Sequence, residues 1–101
     1  MTFEQELSVI EQLFGVKIEI QAAPGSPVWY TFSGRQLTVE CIEGIITQNS
    51  GVLEWQDPLS WHCNNNDNVA YLVVKLTDTD EDVVYDRLFA FDLTDNEFHI
   101  V

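Results

Sequence analysis

Positive charge is what this chain has least of. Its 101 residues carry four Lys and Arg side chains against 17 Asp and Glu, a formal net charge of -13. Such a surface repels phosphate, which argues against charge attraction to nucleic acid or to an anionic membrane. Long apolar runs are also missing, since no stretch approaches the ~20 residues that span a bilayer. The opening Met1-Thr2-Phe3-Glu4-Gln5 lacks the basic and apolar regions of an export signal. Cysteine is scarce: Cys41 and Cys63 stand 22 positions apart with no Cys-x-x-Cys spacing, as expected of reduced thiols. There is no glycine-rich phosphate loop and no nucleophile elbow, and Ser60 and His62 share one loop without a third orienting group. The expectation is a soluble cytoplasmic protein that is not an enzyme.

What is present is material for a core. The chain is 46% hydrophobic and 12% aromatic, far above an acidic disordered tail, and its length suits a single domain over residues 1–101. Phe3, Leu7, Ile10, Leu13 and Phe14 recur at helical spacing, Thr2-x-x-Gln5 fits a capping box, and Gly15 supplies a stop. A helix is expected over 3–14. Beyond it the pattern reads as strand and turn. Val16, Ile18 and Ile20 alternate with polar residues, and a second strand follows Pro24-Gly25-Ser26-Pro27 from Val28 to Phe32. Leu37, Val39 and Cys41 alternate again, which extends a third strand to about Thr47 with a bulge at Gly44. Val52 to Gln56, Val69 to Leu76, Val83 to Leu93 and Phe98 to Val101 complete the set, with an irregular loop over 57–68. The fold class expected is α+β, one N-terminal helix packed on a mostly antiparallel sheet of about six strands. Antiparallel pairing of successive strands gathers 23–26, 49–50 and 78–82 at one pole and 34–35, 57–68 and 94–96 at the other.

The acids concentrate at Asp78-Thr79-Asp80-Glu81-Asp82. Two carboxylates about 6 Å apart repel by roughly 0.7 kcal/mol in water and more against a protein surface. With so few bases in the chain, clustered acids want a cation from outside. Calcium takes six to eight hard oxygens, and Asp78, Asp80, Glu81 and Asp82 are the main candidate ligands. The spacing is not an EF-hand, because Val83 and Phe89 stand where that loop needs glycine and glutamate. The plain alternative is a solvated acidic turn that discourages edge pairing. Asp67, Asp95 and Glu97 are candidates for a second, softer cation site. His62, Cys63 and Cys41 show no recognised ligand spacing for zinc, and His99 reads as a surface side chain. Trp29, Tyr30, Phe32, Trp55, Trp61 and Tyr71 are expected mostly in the core, although an exposed Trp61 could anchor a partner.

The acidic turn without an EF-hand, on a small acidic chain with one helix and then strands, resembles the small acidic calcium-binding protein of heterocyst-forming cyanobacteria. That resemblance implies a cytoplasmic calcium buffer or sensor that lowers free calcium during cell differentiation. A second resemblance lies in Met1-Thr2-Phe3-Glu4-Gln5-Glu6-Leu7 through Leu13-Phe14, Lys17-Ile18-Glu19-Ile20-Gln21 and the closing hairpin from Val69. These look like phage-type uracil-DNA glycosylase inhibitors, although Ala22-Ala23-Pro24 stands where those inhibitors carry an acidic segment. It implies an acidic DNA mimic, or an immunity-type inhibitor, of a basic nucleic-acid enzyme. The partners expected are calcium ions or a basic protein, with no direct nucleic acid and no membrane.

Overall fold

The computed structural model describes residues 1–56 and 68–101. The elements run α1 (Phe3–Phe14), β1 (Lys17–Gln21), β2 (Trp29–Ser33), α2 (Val39–Gln48), β3 (Leu53–Trp55), β4 (Val69–Asp78), β5 (Val83–Asp92) and β6 (Glu97–Ile100). The strands form one open six-stranded sheet in the order β1-β2-β6-β5-β4-β3, and every neighbouring pair is antiparallel. The class is α+β with an N-terminal helix, as the patterning implies, and with a second helix that it does not. Among the described residues, no helix is long and apolar enough to cross a membrane.

α1 forms where its stripe and caps place it. The Thr2 hydroxyl accepts from the Gln5 N–H, the Gln5 side chain accepts from the Thr2 N–H, and Gly15 closes the helix at φ 68° with its N–H on the Glu11 carbonyl. Leu7, Ile10 and Phe14 are buried against the sheet. The next turn is tied down by Glu11, whose carboxylate accepts the Ile18 N–H at 2.8 Å.

The expected strand from Leu37 to Thr47 is instead α2. Alternation at Leu37, Val39 and Cys41 is short and local, whereas Val39, Ile42, Ile45 and Ile46 repeat at three- and four-residue intervals that face the core. Thr38 caps the helix by accepting from the Cys41 N–H, and Glu40 lies in the first turn where the helix dipole favours an acid. Gly44 marks no bulge; it is an exposed helical residue with open space around its Cα. The loop expected at 57–68 falls almost wholly outside the described residues, with Asp67, Trp61, His62 and Cys63 among those not described.

Both helices lie on the same side of the sheet. Alternate residues of β4 point towards them, with Ala70, Leu72, Val74 and Leu76 buried, and their ladder partners on β5 include Phe89 and Phe91. Phe14 of α1 meets Phe91 and Phe89 edge-on at centroid distances of 4.9 and 6.0 Å, and Phe32 meets Phe91 at 5.0 Å. Such contacts add about 0.5–1.5 kcal/mol each beyond the area they bury. Two acids are buried among the described residues, Glu6 and Asp78. Glu6 is only 3% exposed, and it accepts from Arg87 through both oxygens (2.9–3.2 Å) and from the Tyr85 hydroxyl at 2.6 Å.

An alanine at position 44 adds helix propensity without a clash. Gly44→Ala should raise stability by about 0.5–1 kcal/mol in denaturant unfolding, whereas a strand bulge at this position would be destabilised by the same change.

Candidate functional site

The two β-hairpins of the C-terminal half are built alike. Each opens on an aspartate whose Oδ1 accepts two turn N–H groups: Asp78 from Asp80 (3.1 Å) and Glu81 (3.4 Å), Asp92 from Thr94 (3.0 Å) and Asp95 (3.1 Å). Each closes on a left-handed residue, Asp82 at φ 54° and Asn96 at φ 57°, conformations that Asn and Asp tolerate better than most. Several acids, Asp78, Asp82 and Asp95 of the expected sites among them, therefore have work in turn geometry. Asp78 and Asp92 cap their turns, Asp82 supplies the left-handed corner, and Asp95 donates its N–H.

Asp78 has a further partner that its neighbours in sequence do not reveal. It is 7% exposed, and its Oδ2 binds the ammonium of Met1, which the start of α1 delivers to this end of β4. The Met1 ammonium, followed by the turn N–H groups, holds the Asp78 carboxyl below its ordinary value of 3.8. Reciprocally, the bond to Asp78 raises the Met1 amine above 8.0. The expectation of an acidic tip without resident counter-charge thus fails at Asp78. Asp80, Glu81 and Asp82 are exposed.

Among the described residues, the one group of three His, Cys or carboxylate side chains whose ligating atoms converge within 4.8 Å is Asp92, Glu97 and His99. Strand register makes it: Asp92 and Glu97 are directly opposed across β5 and β6, and His99 lies two residues along β6 on the same face. Its Nε2 stands 3.6 Å from the Glu97 carboxylate. Like charges directly opposed across a sheet destabilise it, and a bound cation relieves that. Two oxygens and one nitrogen suit a divalent ion that fills its other positions with water. Glu97 was a candidate from sequence, while Asp92 and His99 were missed. The signal for them was the period of two, which puts Glu97 and His99 on one face, combined with the turn that sets Asp92 opposite.

Two of the four basic side chains, both arginines, are engaged by the fold. Arg87 holds Glu6. Arg35 donates to the Phe14 carbonyl (3.3 Å) at the end of α1 and to the Cys41 Sγ (2.9 Å). Lys17 pairs with Glu19 at 3.4 Å, and Lys75 lies directly across the ladder from Asp86. Comparison with protein-family models, with curated proteins and with solved structures finds no match to this chain.

These contacts set a pH profile. Tyr85 is pushed up to about 12 by its bond to Glu6 and then by burial, so the stability it contributes is whole below pH 10 and lost as pH rises through 12. The Asp78 contribution runs the other way, present above the ordinary carboxyl value and lost as pH falls through its lowered one. Spectrophotometric titration should show one tyrosine ionising near 12, moved back towards 10 by Glu6→Gln. Acid unfolding of Asp78→Asn should lose part of its pH dependence below about 4.

Proposed function

We propose that this chain is a non-catalytic acidic domain that docks onto a basic protein surface, as an inhibitor of a nucleic-acid enzyme does. One observation carries the reading: the two arginines are taken up by the fold, on Glu6 and the α1 C-terminus, and the two lysines already lie beside acids, Lys17 on Glu19 and Lys75 opposite Asp86. Among the described residues, Glu4, Glu40, Glu43, Glu54, Asp80, Glu81, Asp82 and Asp95 are exposed, and no ion pair to a Lys or Arg is seen for them. A field of this kind steers basic partners, raising association rates by about 10- to 1000-fold at low salt. The segments that resemble phage-type uracil-DNA glycosylase inhibitors occur as α1, β1 and the β4–β5 hairpin, and this supports the same class. Immobilised chain should retain basic nucleic-acid enzymes from its own cell extract. Retention should be lost on raising salt from about 0.1 to 0.5 M, where screening shortens to a few ångströms, and on adding duplex DNA as competitor. Retention indifferent to both salt and DNA rules the reading out.

A second reading, reversible binding of calcium or another divalent ion, is favoured by the convergence of Asp92, Glu97 and His99. Oxygen-seeking calcium uses the two carboxylates, whereas zinc also recruits the imidazole. Calorimetric titration separates the cases: Glu97→Gln should abolish both ions, and His99→Ala should abolish zinc alone. An Asp80→Asn, Asp82→Asn double variant should leave both titrations unchanged, and heat that fails to saturate below about 1 mM calcium and zinc sinks this reading.

A further inference from the structure

The helices cover one face of the sheet, and among the described residues no helix or strand covers the other. That second face is organised in rows set by the ladder register. One row runs Glu19, Thr31, Glu97 and Asp92 across β1, β2, β6 and β5. Continuing the β2–β6 register by one pair puts Trp29 level with His99, and that row goes on through Ala90 to Tyr71 on β4. Leu88 and Val73 form the next. Glu19, Glu97 and Asp92 therefore border one side of a strip in which Trp29 is 37% exposed, Tyr71, Val73 and Leu88 are half-buried and Ala90 is buried; the Lys75–Asp86 pair borders the other side, with Val84 beyond it on β5 58% exposed. The outer faces of α1 and α2 are acidic too, through Glu4, Glu40 and Glu43, yet neither helix has an exposed large apolar side chain.

We infer that the uncovered sheet face is the docking surface, and that its occupant is a partner surface rich in arginine. This rests on the binding reading above and adds where and what. Charge alone does not choose between the two sides of the molecule, since both carry acids. Binding energy concentrates where aromatic anchors are desolvated inside a polar rim, and only the sheet face has both. Arginine is the cation that fits such a strip, because its planar guanidinium stacks on Trp or Tyr while its N–H fork meets a carboxylate. Lysine, a hydrated point charge, uses the acids and not the rings. A second copy of the chain is disfavoured as occupant by the net charge of -13 on each.

The test is chemical-shift mapping on the whole isotopically labelled chain, with octa-arginine and octa-lysine as probes. Octa-arginine should shift the Trp29 indole and the amides of Tyr71, Leu88 and Glu97, and should bind about fivefold or more tightly than octa-lysine. Trp29→Ala should weaken octa-arginine about tenfold. Glu19→Gln with Glu97→Gln should weaken it several-fold more than the charge-matched Glu40→Gln with Glu43→Gln. Shifts centred on the helices, or equal losses from the two double variants, overturn the placement while leaving the binding reading intact. No saturable association with either peptide overturns both. A dimer in sedimentation that dissociates on Trp29→Ala makes a second copy the occupant and overturns the arginine-rich partner.

Discussion

The structure depends on a core that lies on one side of its sheet. Phe14 and Ile10 from α1, Ile42 and Ile45 from α2, and Phe32, Phe89, Phe91 and Phe98 from the strands meet in one layer. A sheet whose second face no described helix or strand covers needs strict alternation along its strands, because a slip of one residue exchanges the two sets. β4 obeys this over its whole length. The same constraint fixes the chemistry of the face away from the helices, since residues not needed for the core are held in rows by hydrogen bonds made for the core. Asp92, Glu97 and His99 meet for that reason and not through any motif of their own.

Scarcity of basic residues shapes the rest. A buried carboxylate costs several kcal/mol unless it is paired and hydrogen-bonded. Glu6 is given a bidentate guanidinium and a phenol, and one of only four basic side chains goes to it. Arg87 is 38% exposed, so water screens part of the attraction, and the pair serves to make burial tolerable more than to add net stability. Asp78, nearly buried, takes the Met1 ammonium and two turn N–H groups. Interior acids are satisfied first, and the unbalanced charge is left on the surface, where it acts at a distance. The repeated hairpin design adds to this, because aspartate at the opening and a left-handed Asp or Asn at the close are preferences of the backbone before they are ligands.

The sequence by itself determined α1 and the hairpins that join β4 to β5 and β5 to β6. Capping residues, helical spacing and turn chemistry are local, and they agree here with the final packing. Leu37 to Thr47 went the other way, since a three-residue alternation competed with a wider helical repeat, and the Thr38 cap and burial of Ile42 and Ile45 favour the helix. Tertiary structure alone decided which acids are neutralised and which converge. Glu6 meets Arg87 across 81 positions and Asp78 meets Met1 across 77, distances in sequence over which charge and spacing carry no local signal. A carboxylate's neighbours are set by strand register and by where a helix begins, and both follow from burying apolar side chains.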